Sequence, residues 1–135
     1  MDLKQFIETN LKVKVDFDKM YGAQCVDLYR QYCQDVLGMP PSEGVEGAKH
    51  LWEWYDRTQI QKRYLQKIQN TPIFVPRQGD IVIYGDGKYG HVAIVLFANA
   101  NWMMVFEQDG YAQDGAKSAV RNYDGVLGFL RKMGE

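Results

Sequence analysis

The pattern of hydrophobic and polar positions changes period near the middle of this chain. Before the segment from Pro72 to Pro76, apolar residues recur at three- and four-residue intervals and predict helices over 3–11, 24–37 and about 46–69. After it, short runs rich in β-branched and aromatic residues alternate with turn residues. These predict strands at Ile81–Tyr84, His91–Phe97, Trp102–Glu107, Ala119–Asn122 and Val126–Leu130. Helices first and strands afterwards imply an α+β fold, with N-terminal helices packed on a C-terminal antiparallel sheet that meanders. The clearest helix is 24–37. Its Cys25, Leu28, Tyr29, Tyr32, Cys33, Val36 and Leu37 share one stripe, with Asp27, Arg30, Gln31 and Gln34 on the other side. Gly38 supplies a stop, and Pro40 and Pro41 prevent the helix from resuming. Cys25 therefore falls in the first turn, at the edge of the buried stripe.

Length and composition narrow the class. The chain of 135 residues suits one domain, 1–135, and its 46% hydrophobic and 24% charged residues exclude a disordered protein. A formal net charge of −1 gives no broad attraction to nucleic acid or to anionic lipid, so neither is an expected partner. No apolar run is long enough for a signal peptide or a membrane span. The two cysteines, Cys25 and Cys33, lie eight residues apart on one expected helix, roughly 12 Å along its axis, too far for a disulfide. Synthesis in a reducing cytoplasm fits this cysteine usage.

The candidate chemistry starts at Cys25. A helix N-terminus favours a thiolate, because unpaired N–H groups and the helix dipole stabilise the anion. A small buried core residue is the competing reading for this cysteine. Only His50 and His91 can serve as a base. His91 opens the apolar run HVAIVLF, where packing alone would favour a β-branched residue, whereas His50 sits on a helix among Lys49, Leu51 and Trp52. A hairpin loop at Ala98-Asn99-Ala100 would set His91 directly opposite Glu107, and a shift of one residue would oppose it to Gln108. A paired carboxylate could then orient the imidazole. Gln24, just before Cys25, can offer its side-chain amide to a developing oxyanion together with the Cys25 N–H.

Three blocks of sequence, YGAQCVDL, QGDIVIYGDGKYGHVAIV and FEQDG, resemble the CHAP domains, the cysteine- and histidine-dependent amidohydrolase/peptidase modules of bacteriophage lysins and bacterial cell-wall hydrolases. The resemblance runs from about Asp16 to the C-terminus. It implies a papain-like fold, Cys25 as nucleophile, His91 as base and Glu107 as the residue that orients His91. Asp109 stands where this family usually has asparagine, either as a stronger support for the imidazolium or as a bystander. The implied substrate is bacterial peptidoglycan, cut at an amide or peptide bond by a monomeric enzyme. It would be made in a host cytoplasm and act on the wall after release. A calcium-dependent wall-binding module without activity, and an acyl transferase using the same dyad, are the alternatives.

Asp16, Asp18 and Asp27 have the 1, 3, 12 spacing of acidic ligands in an EF-hand loop. The match is incomplete: Met20 could offer only its backbone carbonyl, Tyr21 replaces the turn glycine, and position 12 is Asp. Some lysin CHAP domains hold calcium through acids at these offsets from the cysteine, and the resemblance implies a calcium site at Asp16, Asp18, Met20 and Asp27. No organic cofactor is implied. Cys25, Cys33, His50 and His91 lack the paired short spacings of structural zinc sites. Trp52, Trp54 and Tyr55 read either as core packing or as a platform for sugar rings. GDGKYG precedes a strand and lacks the P-loop spacing, so it reads as a hairpin turn.

Overall fold

A computed structural model describes residues 1–134. Helix α1 spans Leu3–Asn10 and begins with a reciprocal cap, in which the Asp2 carboxylate accepts the Gln5 N–H at 2.8 Å and the Gln5 side chain accepts the Asp2 N–H at 2.9 Å. Helix α2 spans Cys25–Asp35. Its Leu28, Tyr29, Tyr32 and Cys33 are buried, as the stripe predicts. Val36 and Leu37 lie just past its end, and Gly38 follows with φ 63°.

The long helix expected over 46–69 is not one helix. The segment holds α3 at His50–Glu53, a 3-10 turn at Tyr55–Arg57, α4 at Gln59–Tyr64 and then strand β1 at Leu65–Gln69. The apolar spacing is real, but side chains stabilise the breaks. Thr58 donates its hydroxyl to the Tyr55 carbonyl, and Gln61 donates to the Leu51 carbonyl and the Thr58 hydroxyl, both side chains being buried. From Leu65 onward the backbone is claimed by a distant partner. Five residues pair with the last strand, from Leu65↔Lys132 to Gln69↔Gly128, and this non-local pairing overrides local periodicity.

The remaining strands are β2 (Ile81–Tyr84), β3 (His91–Ala98), β4 (Met103–Glu107), β5 (Lys117–Arg121) and β6 (Val126–Lys132). They form one antiparallel sheet in the order β1-β6-β2-β3-β4-β5, so β2 to β5 meander as expected and β6 returns to lie between β2 and β1. Both faces of the centre are covered. Ile81, Ile83, Val92, Ile94, Phe106 and Leu130 pack with Leu28, Tyr29, Tyr32 and Leu51 on the helical side. Val82, Ala93, Val95, Met103, Val105 and Phe129 form a second cluster on the other side, with Phe74 and Tyr123 against it. Buried Asp80 joins the ends of β2 and β6, taking both arms of the Arg131 guanidinium at 2.7 Å.

The β3–β4 register differs from the expected one. The pairs are Ala98↔Met103 and Phe97↔Met104, then a bulge, then Val95↔Val105 and Ile94↔Phe106. Asn99 shapes the turn by accepting the N–H groups of Asn101 and Trp102 on its side-chain oxygen. Continuing the inner register sets Glu107 beside Ala93, so His91 and Glu107 are diagonal neighbours on one face, not direct partners. Diagonal positions are still within reach of long side chains.

Gly90 positions the start of β3. Its φ is 70°, and a Cβ there would run into the Tyr84 carbonyl oxygen and the Lys49 side chain. Gly87, with φ 72°, has open space instead. Gly90→Ala is therefore expected to destabilise the fold by about 1–3 kcal/mol, through strain plus overpacking, and Gly87→Ala by less. Thermal unfolding of the two variants checks this, and equal losses would remove the packing argument.

Candidate active site

Cys25 is the first residue of α2 and is half-buried. His91, the first residue of β3, lies close enough to this thiol for Cys25 to act on its imidazole. His91 Nε2 lies 3.0 Å from Glu107 Oε1, so Nδ1 is the ring atom left for the sulfur. Glu107 ends β4 and is 3% exposed. Cysteine, histidine and carboxylate thus gather at one end of the sheet, with Cys25 and His91 lining a cleft of about 630 Å³.

The electrostatics follow from these contacts. Burial would push His91 down, but the hydrogen bonds and charges of Cys25 and Glu107 outweigh it and raise the imidazole to about 9. Burial would likewise raise Glu107, yet His91 and Arg121 together bring it down to about 2. Cys33 is the opposite case. It is fully buried, and burial pushes its thiol up to about 12, so it stays protonated and inert.

Gln24 precedes α2 as its N-cap residue and lines the cleft. One of its two amide hydrogens goes to the Tyr21 carbonyl at 2.6 Å, which leaves the second for a ligand. Asp109 lines the same cleft, but its Oδ1 accepts the Tyr111 N–H at 2.8 Å and shapes the turn after β4. The bond to the His91 ring is made by Glu107. His50 lies apart from this chemistry, accepting the Gly47 N–H on Nδ1 and stacking on Trp54 at 3.8 Å between ring centres. Trp52 packs on the helical core, Tyr55 is buried, and neither they nor Trp54 line the cleft, which favours the packing reading over the sugar platform.

Three residues hold the site together in roles the sequence did not show: Gln113 and Arg121, and Gln108, which binds backbone and not His91. Fully buried Gln108 accepts the Val15 N–H and donates to the carbonyls of Val15 and Gln24, at 2.7–2.8 Å. Gln113 binds both the N–H and the carbonyl of Ala23. Arg121 grips Glu107. Gln108 and Gln113 act across sequence separations of 84 to 93 residues, which no local pattern encodes.

Asp16, Asp18 and Asp27 also converge, each offering a carboxylate oxygen, all within 4.8 Å of one another. That span is about twice a calcium–oxygen bond of roughly 2.4 Å. Asp16 Oδ1 is buried without a hydrogen-bond partner. Asp27 is raised to about 6, chiefly by burial and further by the charges of Asp18 and Asp16, against the lowering effect of the Gln24 N–H. The donor set therefore fits a hard cation. Met20 adds its N–H to Asp18 Oδ1, and its side chain is exposed.

The family model for the CHAP domain matches residues 15–109, which is most of the chain and includes Cys25, His91, Glu107 and Asp109. The chain belongs to the CHAP family. This CHAP domain is 27% identical over 143 residues to endolysin PlyTW of Staphylococcus phage Twort, covering 95% of this chain and 29% of that protein. It is 30% identical over 126 residues to endolysin LysK of Staphylococcus phage K, covering 86% of this chain and 23% of that protein. A probable autolysin of Staphylococcus aureus is 27% identical over 95% of this chain and 29% of its own length. The chain thus spans less than a third of these relatives. Among solved structures, endolysin LysIME-EF1 shares the fold with a TM-score of 0.67 at 23% identity, over 97% of this chain and 64% of that one. Ly7917, solved with the hydrolyzing product of MDP, does so with a TM-score of 0.58 at 17% identity, over 82% of this chain and 54% of that one.

The raised His91 and lowered Glu107 have opposite consequences for stability against pH. His91 moves from 6.5 to about 9, so its stabilisation is complete below about pH 6.5 and is lost as pH climbs through about 9. Glu107 moves from 4.5 to about 2, so its stabilisation is present above about pH 4.5 and is lost as pH falls through about 2. In an NMR titration His91 is expected to lose its proton near pH 9. Glu107→Gln should lower that midpoint clearly and Asp109→Asn should shift it less, since only Glu107 touches the ring. Equal shifts would move the orienting role to Asp109.

Proposed function

We propose that this CHAP domain hydrolyses an amide or peptide bond of bacterial peptidoglycan through a thiol mechanism. The observation that supports it most is the Cys25–His91–Glu107 line at the mouth of the cleft. Its relatives from staphylococcal phages are endolysins, which supports the wall as the substrate. With the imidazole raised to about 9, His91 carries a proton at neutral pH and stands beside the sulfur as an imidazolium. The thiolate attacks the scissile carbonyl. The developing oxyanion is met by N–H groups of the first turn of α2 and by the free amide hydrogen of Gln24. His91 then gives its proton to the leaving amine, and as neutral imidazole takes one from the water that releases the acyl group. Glu107 keeps the ring oriented throughout.

Calcium is the cation this reading assigns to Asp16, Asp18 and Asp27, with the Met20 carbonyl as a further oxygen ligand. It would neutralise the acids that crowd the entry to α2. What the chain itself supplies is the loop conformation: Lys19, Tyr21 and Gly22 take left-handed backbone angles of 61°, 62° and 75°.

Two measurements test the proposal. Cys25→Ala is expected to abolish clearing of a cell-wall suspension with the fold intact, and Cys33→Ala to retain most of it. Lysis by Cys25→Ala would end the thiol mechanism. For the metal, chelation is expected to lower the melting temperature and added calcium to restore it, with a stabilisation of about 2.7 kcal/mol at a hundredfold excess over the dissociation constant. Asp16→Ala with Asp18→Ala should lose this response, and magnesium should replace calcium poorly. Wild-type melting curves that coincide with and without chelator would remove the metal from the loop.

A further inference from the structure

Glu107 is shared between a permanent cation and a titrating one. Arg121, on the edge strand β5, sets its guanidinium fork on the carboxylate, with Nε 2.6 Å from Oε1 and Nη2 2.7 Å from Oε2. His91 Nε2 reaches the same Oε1 at 3.0 Å. A bidentate fork fixes the plane of a carboxylate as well as supplying charge. The guanidinium also lies 5.8 Å from the centre of the Tyr84 ring, and Tyr84 is the cross-strand partner of His91. Imidazole, carboxylate, guanidinium and phenol ring therefore close a circuit of contacts over β2, β3, β4 and β5.

We propose that Arg121 is a positioning residue, whose fork holds the Glu107 carboxylate ionised and aimed at His91 through both protonation states of the imidazole. The role rests on reading Cys25 and His91 as nucleophile and base. His91 is a cation for only part of that cycle; once the leaving amine has taken its proton, the ring is neutral. A carboxylate as buried as Glu107, left with a neutral imidazole, would have no charge to offset its desolvation, and would take up a proton or turn away. The Arg121 guanidinium does not lose its charge, and its side chain, 41% exposed, bridges solvent and the buried carboxylate.

The other titratable groups around Glu107 do not substitute for it. Lys117 is opposite Glu107 on β5, but its amine is paired with Asp114 at 2.9 Å. Asp109 follows on the turn after β4 and carries the same sign as Glu107. Tyr84 faces the pair from β2 with its phenol pushed above the usual range, and Cys25 meets the far side of the imidazole from α2. Because Arg121 also occupies Oε1, it tempers the pull of Glu107 on the His91 proton. The ring is thereby kept able to release that proton to the leaving amine.

The test is a pH titration of the Glu107 carboxyl carbon and the His91 ring nitrogens by NMR, in the wild type and in R121M, R121Q and R121K. Calcium is held at one concentration, the amide spectrum reports the fold, and wall clearing is followed on the same samples. R121M and R121Q are expected to move the Glu107 midpoint up by about two pH units or more. The acidic limb of the clearing profile should follow that midpoint upward. Clearing then falls about tenfold for each pH unit below it and changes less at neutral pH, as the ionised fraction does. R121K keeps the charge without the fork and should bring the Glu107 midpoint back toward wild type. Folded R121M and R121Q with a wild-type Glu107 titration and pH profile would reduce Arg121 to an edge-strand ion pair and overturn the proposal. Displaced titrations in a protein whose wild type clears no wall would instead sink the peptidoglycan reading and leave the positioning role standing.

Discussion

Two adjacent residues at the end of β4 point to opposite faces of the sheet, and the site depends on that alternation. Glu107 turns one way and holds the imidazole of His91. Gln108 turns the other way and holds the backbone at Val15 and Gln24, which is the entry to α2 and Cys25. Because the period of a strand is two, these side chains cannot exchange roles. The distance between His91 and Cys25 is therefore governed from a single short stretch of β4. A slip of one residue in β4 would move a carboxylate into the helical core and an amide onto the imidazole.

The electrostatics are layered on this geometry. Negative charge gathers at both ends of the Cys25–His91 pair, from Glu107 behind His91 and from Asp16, Asp18 and Asp27 near Cys25. The two groups are handled differently. Glu107 is met by an imidazole and a fixed guanidinium and sits well below the usual carboxylate range, whereas burial and like charges leave Asp27 raised. The acids of the entry loop thus repel one another, while the Glu107 carboxylate is already balanced by the protein's own cations.

Much of this was legible in the residues, for physical reasons that differ from element to element. The α2 stripe and the stop at Gly38 are local, so spacing gave the apolar part of its buried face and its start to within one residue, but not the burial of Asp27, which the stripe placed on the polar side. The strands around His91 and Glu107 were legible because apolar β-branched runs between turn residues have few other uses. What failed was non-local. Leu65–Gln69 reads as helix until β6 is present to pair with it. The direct opposition of His91 and Glu107 failed because Asn99 and the bulge reset the register, although the contact itself survives on the diagonal. Gln108, Gln113 and Arg121 look like ordinary polar residues at strand ends and turns until the fold brings Val15, Ala23 and Glu107 to them.

The bulge between Val95 and Phe97 has a further consequence, for where this protein can accept foreign chain. It separates the pairs that close the Asn99–Trp102 turn from those that continue toward His91 and Glu107, so the two ends of the hairpin need not share one register. A peptide spliced into that turn lengthens a loop at the opposite end of the strands from the cleft. Its entropic cost grows slowly, by about 0.6 kcal/mol for each doubling of loop length. The turn is thus a natural socket for grafting an affinity tag or a targeting segment, one at the far end of the sheet from His91 and from the cleft that Cys25 lines.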